Sequence, residues 1–398
     1  MSANDTPRLA GLAIRLGVNL QRGQALVIRA PLAASDLVLE LTSAAYRLGA
    51  GPVTCLFEDP RALRARLLLA DEQVLGEAPE WLPAAVATAH EQGTARLDVL
   101  GPLPDLVDDV PLTRALQGHK ALEVASRAET RVLERRLVNA STLLFATESW
   151  ARRVFTGNSV EAAVTTLSDA LRAAAYADGP DAAGRLGQHL AELDMRATAL
   201  QMRDLRSLRL YGDETDLTVN LAAGHRWVGA TDVAHNGIRY APSLIAEDVR
   251  VAVDCRSARG RLALAQPISV AGDVIAGAAL EFRGGDIVSM TAASGRAALE
   301  GVLSVDRGAG RIVAVGLAPD GTPATRYAAE FHNPTVDRTS GCHVRFGWPD
   351  VAVMPATVGD DVGRSAIGID AFLGAVDVDG CSARGETVPL MRNGTFMV

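Results

Sequence analysis

Four cysteines, seven histidines and 47 aspartates and glutamates supply the reactive side chains of this 398-residue chain, and their spacing excludes several chemistries. There is no GxxxxGK[ST] phosphate loop, and Lys120, the single lysine, lies in none. Gly308 and Gly310 flank Ala309 but lack the third glycine and the following helix of a dinucleotide site. No HExxH pair is present for zinc. Ser365, in GRSAIG, misses the nucleophile elbow because the closing glycine comes one residue late. Cys342 directly precedes His343, yet neighbouring strand residues point to opposite faces, so the dipeptide is not read as a catalytic Cys–His pair. Cys55, Cys255, Cys342 and Cys381 form no CxxC. That spacing argues against a thiolate zinc cage or a disulfide framework and fits a reduced cytoplasm.

The elements that must position any site fall into two regions. Residues 24–30 (QALVIRA) read as a strand after the turn at Gly23, closed by Pro31. Residues 35–48 read as a helix, with Ser35 or Asp36 at its start and Gly49 as its stop. Residues 51–57 (GPVTCLF) read as the next strand, and strand–helix–strand at this spacing predicts a parallel sheet. A charged helix is expected over 120–137, a buried strand over 142–147 and helices over 158–177 and 182–198. From about residue 205 short β-rich segments alternate with Gly, Asp and Asn, and a helix is expected near 293–304. Gly284–Gly285 and Asp379–Gly380 read as hairpin signals, with Asp377 and Asp379 as turn residues. The sequence therefore predicts an α/β protein with an N-terminal parallel-sheet domain over 1–205 and a β-rich C-terminal domain over 206–398.

Composition agrees with a large folded core. Hydrophobic residues make up 48% and charged residues 22%, with 39 basic against 47 acidic side chains and a net charge of −8. An acidic chain with only 4% aromatics is a poor nucleic-acid or anionic-membrane partner, since both need a positive field. No signal peptide or transmembrane run is expected.

Six segments in order carry a resemblance to a known family: GVNLQRGQALVIRAP (17–31), ELTSAAYRLGAGPV (40–53), TDLTVNLAAGHRWVGA (215–230), YAPSLIAEDVRVAVD (240–254), FHNPTVDRTSGCHVRFG (331–347) and RNGTF (392–396). Together they resemble successive landmarks of the thermophilic aminopeptidase T family of metallopeptidases. The resemblance implies an α/β domain, a second domain carrying the site and a homodimer around an internal cavity. It also implies two divalent metals held by two glutamates, two histidines and an aspartate, with a tyrosine in catalysis. Glu247 matches the first glutamate, with Asp248 beside it. His343 matches the first histidine and Asp370 the aspartate.

The remaining positions depart from the family. Ala314 stands for the second glutamate, Gly368 for the second histidine, Asp350 for the tyrosine and Arg338 for an upstream acid. Glu247, His343 and Asp370 are left as ligands for a single zinc, manganese, cobalt or iron ion, with His332 as a conceivable fourth. The catalytic candidates are Glu247, Asp248, His343, Asp370 and Asp350. His225 reads as a structural or cavity-lining residue. An iron-dependent ring-cleaving dioxygenase of this fold keeps the histidine replaced here by Gly368, which disfavours that chemistry. The sequence reading is a repurposed cytoplasmic enzyme, with at most one metal, acting by acid–base chemistry on a small amino-acid-derived or amide-containing substrate, as in specialised metabolism. Its alternatives are a metal-dependent aminopeptidase on short peptides and a catalytically dead binding protein.

Overall fold

The structure, a computed structural model, describes residues 5–270, 273–327, 330–348, 351–353, 365 and 367–398. Contacts divide the chain into two compact units, residues 1–187 with 231–244, and residues 188–230 with 245–398. The sequence puts its boundary at 205, where helical patterns give way to strands. The contact boundary follows packing instead. Residues 231–244 return to the first unit, where Pro242 O accepts from Thr142 N at 2.9 Å and Gly17 O accepts from Ala241 N at 2.9 Å.

The first unit is built on β1 (Leu26–Pro31), β2 (Val53–Glu58), β3 (Ala95–Leu100) and β4 (Ala140–Leu144), all parallel in the order β2-β1-β3-β4. Helix α1 (Ser35–Leu48) joins β1 to β2 and buries Leu37, Leu41 and Ala45. It ends at Gly49, whose φ of +88° suits glycine and turns the backbone N–H back onto the Ala45 and Tyr46 carbonyls. β3 escapes the sequence reading because Arg96 and Asp98 interrupt its apolar residues; they pair with each other at 2.7 Å. The helix expected over 120–137 is two helices, Leu112–Ala125 and Arg127–Glu134, which meet at Ser126. Helix α2 (Val160–Ala174) is capped by Ser159, whose Oγ accepts from Ala162 N. Helix α3 (Ala182–Gln201) carries the boundary between the units.

In the second unit an antiparallel eight-stranded sheet runs in the order Asp286–Thr291, Ala279–Arg283, Arg259–Ala263, Asp216–Asn220, Leu205–Tyr211, Asp377–Ser382, Thr387–Arg392, Thr395–Phe396. A four-stranded antiparallel sheet holds β5 (Val249–Ala252), β6 (Ile312–Leu317), β7 (Cys342–Gly347) and β8 (Gly368–Gly374), ordered β8-β7-β6-β5. Gly284–Gly285 is a hairpin turn with φ of +60° and +79°. Asp379–Gly380 is not a turn but lies inside the strand Asp377–Ser382. Gly380 is glycine there because a Cβ would come within 2.8 Å of Leu205, and Asp379 pairs with Arg392. Among the described residues no helix is long and apolar enough to cross a membrane.

A buried ion cluster ties the first unit together. Glu129, 3% exposed, accepts from Arg29 of β1 at 3.0 Å and from Arg96 of β3 at 2.5 Å. Removing one partner of such a pair strands buried charge. Glu129→Ala is expected to cost about 3 kcal/mol, read as a lower urea midpoint at unchanged slope. A loss below about 1 kcal/mol would show that the arginines find water instead.

Candidate functional site

The four-stranded sheet places two rows of residues side by side. Across the strands Arg250 lies opposite Gly316, Gly316 opposite His343 and His343 opposite Phe372. In the adjacent row Ala252 faces Ala314, Ala314 faces Arg345 and Arg345 faces Asp370. Alternation along each strand presents Arg250, Ala314, Gly316, His343, Arg345 and Asp370 to one small cavity, which Arg338 also lines. The cavity holds about 10 Å³, enough for one water-sized sphere.

Gly316 makes room for the imidazole. A Cβ at this position would lie 2.1 Å from His343 Cε1 and 2.2 Å from its Nε2, far inside van der Waals contact. His343 is 3% exposed, and burial lowers its pKa below the usual histidine value against the opposing pull of Asp248 and Asp370. Its ring is therefore neutral near pH 7. His343 Nε2 lies 3.4 Å from Asp248 Oδ2, and Arg250 Nε lies 3.5 Å from the same oxygen. The buried His343 Nδ1 makes no hydrogen bond among the described residues.

Asp370 is held differently. Both of its oxygens accept from Arg345 Nη1, at 2.9 and 2.8 Å, while Arg345 Nε donates to Trp348 O at 2.6 Å. Glu247 sits just before β5 and 3.3 Å from His189 Nε2 of α3, which also contacts Ala246 O at 2.7 Å. Burial lowers the pKa of His189 as well. Of the sequence candidates, His343 and Asp370 line the cavity, Asp248 touches His343, and Glu247 is turned towards α3. His332, at φ +52°, does not line the cavity. Asp350 lies outside the described residues.

The residues present do not fit the metal centre implied by resemblance. Among the described residues no group of three or more His, Cys, Asp or Glu side chains could hold an ion. Asp370 is neutralised by Arg345, Glu247 faces His189, and three guanidiniums line the same cavity as His343. The space beside Gly368 is taken as well, since a Cβ there would lie 2.5 Å from Arg345 Nη2. Ala314 packs with Val228, Ala252, Ala352 and Val353 and offers the cavity no donor atom opposite Arg345. A single ion on Glu247, His343 and Asp370 fails for the same reasons.

Sequence reasoning passed over Arg250, Arg345 and His189. Arg250 follows Asp248 by two residues and Arg345 follows His343 by two, so strand alternation alone would have put each arginine beside its candidate. His189 carries no comparable signal, because its partner is reached only through the fold. Cys342, the neighbour of His343, is buried against Met391 Sδ at 3.4 Å. Burial pushes its thiol up to about 12, consistent with an inert residue. Ser365 donates to Asp306 Oδ2 at 2.9 Å and so is tied down structurally.

Asp337, one residue before Arg338, braces the loop at the cavity edge. Its carboxylate accepts from Phe331 N at 2.8 Å and Asn333 N at 2.7 Å. Burial nevertheless raises its pKa from 3.8 to about 7. Between those values the folded chain keeps a proton that the unfolded chain has released, so this group's contribution to stability falls as pH rises. Asp337→Asn removes the ionisation. Its melting temperature relative to the unmodified chain is expected to climb as pH goes from 4 to 7, and parallel pH profiles would contradict this assignment. Gly316→Ala should push the His343 ring aside and cost about 1–3 kcal/mol by overpacking, measured by denaturant unfolding. An unchanged midpoint would mean that the ring has free space.

Comparison with known proteins gives the ancestry of this arrangement. The family model described as thermophilic metalloprotease (M29) matches residues 3–396. Aminopeptidase T of Thermus thermophilus is 32% identical over 399 residues, covering 98% of both chains. Aminopeptidase 2 of Geobacillus stearothermophilus is 28% identical, covering 98% of this chain and 97% of its own. The solved structure of wild-type AmpT from Thermus thermophilus superposes with a TM-score of 0.92 at 31% identity, over 100% of both chains. The same two-part order, a parallel sheet with helices followed by a strand-rich half, is thus shared along the entire sequence, and the chain belongs to the thermophilic metalloprotease (M29) family.

Proposed function

We propose that the chain is a divergent aminopeptidase, acting on the N-terminal residue of a short peptide or on an amino-acid amide of the same chemistry. The observation that carries this reading is the likeness to curated aminopeptidases over 98% of the chain. It supports peptide chemistry better than the wholly repurposed small-molecule enzyme expected from the lost ligands alone. The acid–base groups available are His343 and Asp248. A neutral His343 has a free proton-accepting nitrogen, and Asp248, 3.4 Å from Nε2, favours the charged ring that forms when it takes a proton. Glu247, beside Asp248, orients His189, and Asp370 acts by holding Arg345. This reading routes no step through a metal ion, because Asp370 is engaged by Arg345 and Glu247 by His189. A homodimer in the cytoplasm belongs to it through the family resemblance.

A second reading, a repurposed enzyme or a binding protein for a small amino-acid derivative, is favoured by one observation: Arg250, Arg338 and Arg345 line the cavity where the resemblance places metals. The two readings separate in an assay of aminoacyl p-nitroanilides with and without zinc, cobalt or manganese. N-terminal release above the buffer rate, changed less than about tenfold by metal, is expected. Stimulation beyond about a hundredfold would mean that two-metal hydrolysis operates after all. Thermal stabilisation by the substrates without any release would favour the binding protein.

A further inference from the structure

We infer that the cavity between Arg250, Arg338 and Arg345 is a carboxylate site, and that the ligand of this protein presents a carboxylate to it. The inference deepens the reading of a peptide or amino-acid ligand and rests on that reading for the rest of the ligand. Three guanidiniums line the cavity; Arg345 is paired with Asp370 and Arg250 lies 3.5 Å from Asp248, which leaves Arg338 without a carboxylate among the described residues. Asp370 already serves Arg345 through Nη1. Arg345 Nη2 makes no hydrogen bond among the described residues and lies over Gly368, where even a Cβ would come within 2.5 Å. The guanidinium edge is therefore kept clear by the absence of a side chain at 368.

Arg338 supplies the second argument. Among the described residues it makes no ion pair, yet it lines the cavity beside His343, which lies 3% exposed. Near a buried imidazole, an uncompensated cation favours an anion in the adjoining space. His343 adds a third, independent mark, for its buried Nδ1 makes no hydrogen bond among the described residues. With Asp248 facing Nε2 at 3.4 Å, the orphaned Nδ1 marks the need for a polar partner in the cavity wall rather than for an anion as such. The planar, forked geometry of arginine matches carboxylate oxygens. With room for about one water-sized sphere, the cavity admits the tip of a carboxylate and excludes a bulkier group. A divalent cation would instead meet the uncompensated charge of Arg338, with the carboxylates of Asp370 and Asp248 already beside arginines.

Two sources could provide the group, the C-terminal carboxylate of a dipeptide or an acidic side chain. Calorimetric titration of the full-length chain with Ala-Ala, Ala-Ala-amide and Ala-Glu-amide separates them. At least one of the two carboxylate-bearing probes is expected to bind about tenfold or more tighter than Ala-Ala-amide, and the one that does so identifies the source. Arg338→Gln should abolish that preference, and Arg338→Lys should restore part of it. Equal binding of all three probes, no binding of any, or a preference untouched by Arg338→Gln in a chain with an unchanged melting temperature would overturn the inference. The comparison of acid with amide on the unmodified chain stands even if the variants misfold. N-acetyl-Ala-Ala tests the other reading separately. If it binds as tightly as Ala-Ala, N-terminal recognition is wrong while the carboxylate site survives.

Discussion

The pair between Arg345 and Asp370 constrains everything else in the site. It joins neighbouring strands β7 and β8 at directly opposed positions, with two Nη1 contacts below 3.0 Å and a third bond from Nε to the Trp348 carbonyl. Asp370 is 5% exposed, and a carboxylate so buried needs a charged partner to remain ionised. In a metal site that partner is the ion. Here it is a guanidinium from within the chain, and the aspartate has no oxygen left without a donor.

Other losses follow from that substitution of partner. Arg345 Nη2 occupies the space next to residue 368, so Gly368 is the residue that fits, and a histidine restored there would collide with the arginine before reaching any ion. Ala314 faces Arg345 across the sheet and lines the same cavity, so a glutamate restored there would meet that guanidinium rather than a metal ion. Among the described residues the site is thus more than a metal centre with two ligands missing. It is a different charge arrangement on the same sheet, with His343 held neutral above Gly316 and arginines where cations would sit. Reverting single positions does not rebuild the older arrangement, because the replacements are coupled through contact.

Much of the fold was legible in the sequence. The strand at 26–31, the helix closing at Gly49 and the hairpin at Gly284–Gly285 follow from local rules of periodicity and turn chemistry. Where those rules failed, packing had overridden them. Gly380 marks close approach of Leu205 rather than a turn, and Ser126 breaks a helix that its charged pattern would continue. Of the candidate site, His343, Asp248 and Asp370 could be placed by resemblance to one region. The partners that decide their chemistry could not. Arg345 was two residues from His343 and readable by strand alternation, whereas His189 approaches Glu247 from a helix 58 positions earlier in the sequence (247 − 189). Long-range pairing of this kind depends on register and helix placement, which composition does not carry.

The most direct test of the account is a crystal structure of the protein soaked in excess manganese or zinc, with anomalous data collected at the metal edge. The account predicts that Arg345 keeps both contacts to Asp370 and that no anomalous peak falls within about 2.0–2.6 Å of an Asp370 oxygen. A metal ion shared by Glu247, His343 and Asp370, with the Arg345 guanidinium swung away, would contradict it.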